Sequence, residues 1–420
     1  MFKFKNDFKS RFKILKGGKV SLVVSAMALG TTISFSAPTA GTVTSGTANI
    51  SQNGNVTNIN QSTNKASINW QNFSIASNEI VNFNQPNSSS ITLNRVIGNE
   101  TSVINGALNA NGQVWLLNSN GVLFGKNASI NTAGLLATTA ELSDSDFNSN
   151  NYNFKNTTSN SIINEGTITI SDGGSVILAS NEVKNSGTIK AIKGKVHLVG
   201  ADSYSLNLNG NSLVNLTVDK GVLDSLVENS GTIISDGGEI YLTTNAVDEL
   251  LKGVVNNTGI IEANSLDGVT GYVELFAHGG EAQVGGSITV LDGFVETSGK
   301  EFTILEDASI KAKEWLIDPV DITVESTGST TDLGGSSIKA SFIESTLNGG
   351  TGVTLTATND ININENISWA DSLFTLTATN DININAVMSA SSTASLALNG
   401  DVNVAFNPGV AQGFKGKVDL

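Results

Sequence analysis

An internal repeat of about 21 residues is the feature that most constrains the fold of this 420-residue chain. The ten residues 355–364 return unchanged as residues 376–385, at an offset of 21. A second phrase, Asn-x-Gly-Thr-Ile with one degraded copy, recurs nearer the N-terminus, with its glycines at Gly166, Gly187, Gly231 and Gly259. The spacings are 21, 44 and 28 residues, which we interpret as one unit, two units, and one unit with an insertion. Repeats of this length are typical of solenoids.

A shared three-residue pattern predicts which side chains are buried. Four segments have apolar residues at both outer positions and a variable residue between them: Val176–Leu178, Val196–Leu198, Ile240–Leu242 and Val273–Leu275. Alternate side chains of a β-strand point to opposite faces. We therefore expect the outer positions to be buried and the middle positions to face outward. The middle residues are Ile177, His197, Tyr241 and Glu274.

Short strands at this spacing predict an all-β fold, a right-handed parallel β-helix in which each coil contributes three strands. Neighbouring coils hydrogen-bond at the usual strand spacing of about 4.8 Å. Equivalent residues then stack, so we expect Asn359 to lie over Asn380 and Asp360 over Asp381. Asparagine ladders of this kind stabilise a stack of strands. Short helical turns are expected at two insertions, over residues 223–227 and residues 247–252.

Residues 1–36 have the pattern of a secretory signal peptide. A basic segment, residues 1–19, precedes an apolar run over residues 20–29, and small polar residues follow. This is the order of the three regions of such a signal. Small residues at Ser34 and Ser36 place the expected cleavage after Ser36. The apolar run is too short to span about 30 Å of hydrocarbon, so we expect an exported mature chain and no membrane anchor.

Charge and composition exclude several classes of function. The chain has 23 basic and 38 acidic residues, a net charge of −15. Residues 1–19 carry +6, from seven basic residues and Asp7, which leaves −21 for the remainder. A body this acidic repels phosphate backbones, so we expect no nucleic-acid partner. Cysteine is absent, and His197 and His278 are the only histidines. We therefore predict no disulfide, no metal site, no catalytic site and no cofactor.

Residues 41–140 depart from the simple repeat and carry a series of motifs. The motifs are Ala66–Ile75, Val81–Pro86, Leu93–Val96, Ser102–Gly106, Leu108–Gly125 and Gly134–Thr139. Their order and spacing resemble the N-terminal secretion domain of two-partner-secretion exoproteins, the filamentous haemagglutinin family. The segment 314–323 resembles a phrase found in the high-molecular-weight adhesin branch of that family. The resemblance implies a secretion domain over residues 37–160 and a β-helical repeat stalk over residues 161–420.

Within this family an Asn-Pro-Asn-Gly-Ile motif of the secretion domain matters for export. It corresponds here to Asn118, Ser119, Asn120, Gly121 and Val122, with Ser119 in place of proline and Val122 in place of isoleucine. Asn-Gly is a strong tight-turn signal by itself. The resemblance implies that these residues are recognised by a translocator, an outer-membrane β-barrel with periplasmic domains through which the chain passes unfolded.

Three rare side chains are interpreted as structural. Arg95 is a cation in an acidic chain, and we expect it to tie neighbouring turns to a carboxylate; a contact with the translocator is the alternative. His197 shares its outward position with unrelated residues in other coils, which indicates an unconstrained surface position. His278 precedes two glycines and is expected in a turn.

The sequence favours a secreted adhesin of a Gram-negative bacterium. It would pass through the periplasm and the partner barrel, remain at the cell surface or be released, and bind a host or bacterial surface receptor as a monomer. Two alternatives are a stalk fragment of a contact-dependent toxin or haemolysin, and a β-helical carbohydrate-active enzyme. The enzyme is disfavoured because Asp172 and Asp236 are 64 residues apart. We expect this spacing to be about three coils, or ~14 Å, too far for an acid–base pair.

Overall fold

The computed structural model of the chain describes residues 37–156, 158–209, 212–221, 225–245, 253–327, 336–404 and 411–415. The signal peptide expected over residues 1–36, its cleavage position at Ser36, and the helical turn expected over residues 247–252 lie outside the described residues. Regular structure in the described ranges is almost entirely β-strand.

The strands are short and follow one another closely. The first group is β1 (Thr42–Ser45), β2 (Ala48–Asn53), β3 (Val56–Gln61), β4 (Lys65–Trp70), β5 (Ile80–Asn84), β6 (Ile91–Val96), β7 (Ser102–Ile104), β8 (Ala107–Ala110), β9 (Gln113–Leu117), β10 (Val122–Phe124), β11 (Ser129–Thr132), β12 (Gly134–Thr138) and β13 (Ala140–Glu141). The second group is helix α1 (Asp144–Asn148), β14 (Asn153–Asn156), β15 (Ser161–Asn164), β16 (Thr167–Ile170), β17 (Ser175–Ser180), β18 (Glu182–Asn185), β19 (Thr188–Lys190), β20 (Lys195–Gly200), β21 (Ser203–Asn209), β22 (Ser212–Lys220), β23 (Leu226–Asn229), β24 (Thr232–Ile234), β25 (Glu239–Asn245), β26 (Val254–Asn257) and β27 (Ile260–Glu262). The third group is β28 (Tyr272–Val284), β29 (Ser287–Ile304), β30 (Ser309–Asp318), β31 (Ile322–Glu325), β32 (Ser337–Lys339), helix α2 (Ala340–Asn348), β33 (Gly352–Ala357), β34 (Ile361–Ile363), β35 (Ile367–Trp369), β36 (Leu373–Ile384), β37 (Val387–Ala390), β38 (Ser395–Val404) and β39 (Gly413–Lys415).

The strands stack in three parallel columns, which are the three faces of a β-helix. The first face runs through β4, β6, β9, β12, β17, β20, β25 and on into β28, β29 and β30. The second face contains β7, β10, β15, β18, β23 and β26. The third contains β3, β5, β8, β11, β16, β19, β24 and β27. At the N-terminal end β1 and β2 pair antiparallel with β4 and β3. The predicted parallel β-helix is confirmed.

The interior of the β-helix is filled by the outer residues of the three-residue pattern. Val176 pairs in register with Val196, and Leu178 with Leu198, and all four side chains are fully buried. Their counterparts in later coils are buried in the same way. Burying an aliphatic side chain of this size stabilises by about 1.5–3 kcal/mol. The apolar columns therefore bind each coil to the next.

The 44-residue spacing between Gly187 and Gly231 is one coil, and our interpretation of it as two units is wrong. Strand β19 pairs directly with β24, so the two glycines lie in neighbouring coils. The additional residues leave the β-helix after β20 and form β21 and β22 outside it. An insertion about as long as the repeat imitates a second unit in the sequence. Asp172 and Asp236 are therefore two coils apart, not three.

A four-stranded antiparallel sheet covers part of the first face from outside. Its order is β13-β14-β21-β22, with α1 between β13 and β14. It buries a second apolar cluster against outward-facing residues of β6, β9, β12, β17 and β20. Trp115 belongs to this cluster, with ring centroids 5.7 Å from Phe147 and 4.9 Å from Tyr152, both in edge contact. These coils thus have one core inside the β-helix and another outside it.

The middle residues of the pattern face away from the β-helix interior, as expected, but two of them are not at the surface. The antiparallel sheet covers Ile177 and His197, which are 4% and 6% exposed. Tyr241 and Glu274 lie beyond the edge of that sheet and are half-buried. The prediction of an unconstrained surface position for His197 is wrong, because an insertion distant in sequence supplies its cover.

Asparagine ladders run along the β-helix. The predicted one is confirmed: the Asn380 amide donates to the side chain of Asn359, and the Asp381 backbone N–H donates to Asp360 at 3.1 Å. A second, buried ladder consists of Asn164, Asn185, Asn229 and Asn257. Each amide in it donates to the next asparagine oxygen at 2.7 Å, and the last donates to the Gly285 carbonyl. Buried amides that are hydrogen-bonded in this way fix the register of successive coils.

The two helices in the described part of the chain lie outside the segments in which the sequence predicts helical turns. Helix α1 begins after Ser143, whose hydroxyl accepts a hydrogen bond from the Asp146 N–H, a common N-terminal cap. Helix α2 follows β32 directly. Of the helical turn expected over residues 223–227, residues 223 and 224 lie outside the described residues. The expectation is wrong for Leu226 and Val227, which belong to strand β23.

Candidate functional site

The first four residues of the expected recognition motif, Asn118–Gly121, form the turn between β9 and β10, and the fifth, Val122, begins β10. Asn118 Oδ1 accepts a hydrogen bond from the Asn120 backbone N–H at 2.9 Å, and the Asn118 carbonyl accepts one from the Gly121 N–H at 2.9 Å. Gly121 has a φ of +95°, in the left-handed region that glycine adopts readily. Asparagine side chains favour turns because they can replace a backbone acceptor. Contacts within four residues therefore specify this turn.

Side chains of the turn also bind the preceding coil. Asn118 is 1% exposed, and its amide donates to the Glu100 carbonyl and to the Ser102 hydroxyl, both at 2.9 Å. The Asn120 amide donates to the Gly98 carbonyl at 2.9 Å. A buried polar group that loses its partner costs about 1–3 kcal/mol. Asn118 is consequently a structural residue in the folded protein.

The following coil contacts the turn from the other side. The Ser119 carbonyl accepts hydrogen bonds from Thr158 Oγ1 and Asn160 Nδ2, each at 2.8 Å. A Cβ atom added at Gly121 would lie 2.8 Å from the Ser161 carbonyl oxygen. Ser119 makes these contacts with its carbonyl oxygen alone, and proline has the same group. The serine that stands in place of the family's proline therefore preserves them.

Arg95 ties three segments together, and the carboxylate expected for it is Asp144. The guanidinium donates to Asn69 Oδ1 at 2.9 Å, to the Leu142 carbonyl at 2.6 Å and to Asp144 Oδ1 at 2.9 Å. Burial alone would raise the pKa of Asp144, but hydrogen bonds from neighbouring hydroxyls, Ser67 first, and the charge of Arg95 outweigh it and lower that pKa. The expected contact of Arg95 with a carboxylate is observed, and a contact of Arg95 with the translocator stays a prediction.

Arg95 and the turn meet at one surface cleft of about 340 Å³. Ser119 and Asn120 line it, together with Ile97, whose side chain is 52% exposed. The structure thus brings Arg95, Ser119 and Asn120 to one surface. Asn118, Gly121 and Val122 are buried beneath that surface and support it.

Sequence reasoning missed the residues that hold the turn from a distance. Thr158 and Asn160 follow Ser119 by 39 and 41 residues, across the whole excursion that contains α1. Glu100 contributes a backbone carbonyl, which any residue could supply. No motif marks such positions, because an insertion of unknown path separates them from the turn.

Neither histidine belongs to a cluster with catalytic or metal-binding chemistry. His197 lies under the antiparallel sheet and stacks on Tyr241, with ring centroids 4.5 Å apart. His278 is exposed and lies in β28, beside an irregularity of strand pairing between Ala277 and Glu281. In the described ranges, no three or more His, Asp or Glu side chains converge closely enough to hold a metal ion. The same ranges contain no helix with the length and apolar character needed to cross a bilayer.

Comparison with known families gives a match to the family described as TPS secretion domain, over residues 34–290. The matched stretch contains the turn, Arg95 and the antiparallel sheet. It extends beyond residue 160, where parallel pairing of β10, β11 and β12 with β15, β16 and β17 continues without a break. The secretion-domain boundary expected at residue 160 stays a prediction.

Two curated relatives and one solved structure resemble the chain. It is 32% identical over 268 residues to the heme/hemopexin-binding protein of Haemophilus influenzae strain Rd, covering 61% of this chain and 29% of the relative. A second Haemophilus influenzae heme/hemopexin-binding protein is 32% identical over 271 residues, covering 58% and 29%. The chain therefore spans under a third of the length of these relatives. The crystal structure of the HMW1 secretion domain from Haemophilus influenzae superposes with a TM-score of 0.62 at 26% identity, covering 86% of this chain and 99% of that domain.

Proposed function

Because the chain belongs to the TPS secretion domain family, which matches more than half of it, we propose that the turn over residues 118–122 is the feature by which its translocator selects it. Membership implies a two-partner secretion exoprotein, secreted across the outer membrane by a partner β-barrel transporter. The proposal assigns the recognition signal to residues 37–160 and leaves the later coils as a repeat stalk.

The observation that carries the proposal is the local character of this turn. Its three internal hydrogen bonds join Asn118 to Asn120 and Gly121, so they can form in a chain that has not yet folded. The contacts of Arg95 with Asp144 and of Ser119 with Thr158 span 49 and 39 residues, and they require the folded β-helix. A translocator that accepts the unfolded chain can recognise the turn, because the turn forms locally. It cannot recognise the cleft, because the cleft forms only when the β-helix has folded.

Secretion of paired variants through the co-expressed partner barrel tests this distinction. Gly121→Ala disfavours the turn in both the unfolded and the folded chain, because it places a side chain at positive φ. Thr158→Val removes a cross-coil hydrogen bond and leaves residues 118–122 unchanged. We expect Gly121→Ala and Asn120→Ala to accumulate in the periplasm, and Thr158→Val to reach the medium at the level of the native chain.

Two controls accompany the assay. The native chain without the barrel should remain in the periplasm, and purified variants should be compared by thermal melting so that a folding defect is not scored as a recognition defect. If Thr158→Val and Gly121→Ala are retained equally, recognition depends on the folded cleft. Export of Gly121→Ala and Asn120→Ala at the native level would refute the proposal for the turn.

After export, attachment to a surface is the function we propose for the β-helix. Its third face carries a row of exposed or half-buried asparagines, Asn58, Asn82, Asn109 and Asn131, which suits binding to an extended partner such as a host or bacterial surface receptor. The resemblance of residues 314–323 to a phrase of the high-molecular-weight adhesin branch favours an adhesin. Binding of purified protein to epithelial and bacterial cells, compared with the chain truncated after residue 290, measures this function. Equal absence of binding for both proteins would contradict it.

A second candidate is the capture of haem or of a haem-carrying protein. The observation in its favour is the 32% identity to two heme/hemopexin-binding proteins, within the stretch that the chain shares with them. Immobilised hemopexin, with and without haem, distinguishes this from cell attachment, and serum albumin is the control. A stalk of a contact-dependent toxin or haemolysin is a third possibility, tested by killing of co-cultured bacteria. Catalysis is not proposed, since the relatives are named for binding and secretion.

A further inference from the structure

The antiparallel sheet outside the β-helix ends in a strand with one unpaired edge. In the order β13-β14-β21-β22, strand β22 is last, and β21 is the only strand paired with it in the part of the chain that the structure describes. An unpaired strand edge offers a row of backbone N–H and C=O groups to another strand. Residues Leu213–Val218 of this edge carry no charge and include β-branched residues, so nothing in the segment itself opposes pairing.

This edge borders a groove of about 540 Å³ on the outer side of the first face. Five consecutive residues of β22, Val214–Val218, line the groove. Side chains of consecutive strand residues point to opposite faces, so a continuous run of lining residues means that the backbone edge faces the groove. At one end the Leu213 N–H donates to Ser175 Oγ at 3.1 Å and the Val214 carbonyl accepts from Lys195 Nζ at 3.2 Å. Those bonds show that the edge is directed at the first face.

The floor of the groove continues an interface that the protein already uses. Up to β20 the antiparallel sheet buries the outward residues of the first face. Beyond β22 the next outward residues are Tyr241, Tyr272, Phe276 and Phe294, all half-buried. The rings of Tyr241, Tyr272 and Phe294 form a row, with centroids 5.6 Å apart between Tyr241 and Tyr272 and 5.7 Å apart between Tyr272 and Phe294. A strand added to β22 would cover this aromatic row as β22 covers His197.

Acidic groups beside the aromatic row favour a cationic occupant, and the one lysine that lines the groove, Lys195, is paired with Glu239 at 2.7 Å. The Tyr272 hydroxyl donates to Glu274 at 2.9 Å and to Glu296 at 3.0 Å, so one phenol serves two carboxylates. Burial raises the pKa of Glu274, opposed by the Tyr272 hydrogen bond and reinforced by the charge of Glu296. Burial and then Glu296 raise the pKa of Asp318 in the same way. A cationic group placed here would gain the attraction that these partly buried carboxylates offer.

We propose that the free edge of β22 and the aromatic row bind an extended segment of a partner protein, which adds as a further strand and carries alternating apolar and basic side chains. The backbone of the segment pairs with β22, its apolar side chains cover Tyr241 and Phe276, and its basic side chains lie near Glu274 and Glu296. A second copy of this chain is a poorer occupant. Two bodies of net charge −21 repel each other, and β22 would bring only uncharged side chains to the carboxylates.

A synthetic peptide tests the proposal on the whole purified protein. The probe is a fluorescent, end-blocked peptide of about six residues that alternates valine and lysine, the length of an ordinary strand. The matched control peptide has the same side chains and charge, with alternate backbone nitrogens methylated so that it cannot pair along a strand edge. We expect saturable binding of the first peptide by fluorescence anisotropy and at least about tenfold weaker binding of the second.

Protein variants separate the edge from simple charge attraction. Glu274→Gln with Glu296→Gln should weaken binding of the lysine peptide about tenfold, whereas Glu306→Gln, an exposed carboxylate in a distant turn, should leave it unchanged. Val214→Lys, at a residue 50% exposed on the edge, should also weaken it. Far-UV circular dichroism confirms that each variant is folded.

Three results would overturn the proposal. Equal binding of the methylated peptide would show charge attraction without strand pairing. If neither peptide bound to the folded protein, the edge of β22 would not be available for pairing with another strand. A dimer in sedimentation velocity that Val214→Lys abolishes and the peptide does not displace would assign the edge to a second copy of the chain.

Discussion

The coils that carry the antiparallel sheet and the coils near the C-terminus maintain the same β-helix by different means. Around β9 and β17 the chain has a second core, in which Trp115 contacts three aromatic rings, and an ion pair fastens helix α1 to β6. Around β33 and β36 the phrase 355–364 lies directly over its copy, and side chains mostly contact their own equivalents in the next coil. The first region depends on long-range contacts between unlike residues, and the second on repetition.

This difference indicates how each region responds to change. A repeated coil can be exchanged for its neighbour, because residues 355–364 meet identical residues in the copy 376–385. A coil under the antiparallel sheet has a unique environment, since its outward residues meet strands that come from elsewhere in the chain. The turn at residues 118–122 and Arg95 both lie in the unique region, where changes cannot be absorbed by repetition.

The largest expected effect is the loss of the outer core. Trp115→Ala should destabilise the N-terminal coils by about 3–5 kcal/mol, because it removes a buried aromatic side chain and leaves a cavity. The antiparallel sheet should detach before the β-helix opens. Hydrogen exchange should show loss of protection in β14, β21 and β22 and normal protection in β33 and β36. Uniform loss over both regions would mean that the two do not unfold separately.

The next effect compares the buried asparagine ladder with the exposed one. Asn185→Ala leaves the Asn164 amide without its acceptor in a water-free environment, which costs about 1–3 kcal/mol. Asn383→Ala interrupts a ladder that water can reach, and should cost about 0.5 kcal/mol or less. Chemical denaturation of both variants measures the two values. Equal costs would show that burial does not distinguish the ladders.

A smaller effect concerns pH and the cover of His197. Burial, with a contribution from Lys195, lowers the pKa of His197 to about 3. The folded-state pKa lies below the unfolded value of about 6.5, so the neutral imidazole supports the fold fully above that pH, and the support is lost as the pH falls toward 3. His197→Phe should reduce this acid sensitivity in thermal melting curves. His278→Gln, at an exposed histidine, should behave like the native protein.

The smallest effects have opposite signs at Asp144, in the region of the antiparallel sheet, and at Glu274, in β28 beyond the edge of that sheet. The pKa of Asp144 is lowered, so its ionised form stabilises the fold above the unfolded value of about 3.9 and ceases to do so as the pH falls through the folded value. Asp144→Asn should therefore lower the melting temperature near neutral pH. The pKa of Glu274 is raised, so its ionised form opposes folding above the folded value. Glu274→Gln should raise the melting temperature near neutral pH and have no effect in acid. Shifts of the same sign would contradict the assignment of these charges.

The repeat makes the β-helix predictable from the sequence. The structure of the insertions is not predictable in this way, because they do not follow the repeat. The identical phrases and the apolar outer residues, such as Val176 and Leu178, require a stack of coils and identify its interior. The antiparallel sheet is invisible in the repeat, because β14, β21 and β22 pair across long separations and obey no period. For this reason the 44-residue spacing indicates two units where the structure has one coil, and the sequence places His197 at the surface although the sheet covers it.

The residues of the candidate site also divide into those that the sequence predicts and those that depend on the path of the chain. Asn120-Gly121 predicts the turn, since tight turns depend on neighbouring residues. The sequence predicts that Arg95 pairs with a carboxylate but does not say which one. The carboxylate is that of Asp144, and this depends on where helix α1 lies in the folded protein. Thr158 and Asn160 could not be identified, because their role follows from the path of the chain after β14.

The excursions from the β-helix have a practical consequence for engineering. Two excursions, within residues 139–160 and 201–225, each follow a first-face strand, β12 or β20, and precede the next second-face strand. Extra polypeptide at this corner leaves the pairing of every other strand intact, as direct pairing of β19 with β24 demonstrates. The equivalent corner between β33 and β34 has no excursion. A foreign epitope grafted there would be displayed on a rigid support, and its position along the rod could be chosen coil by coil.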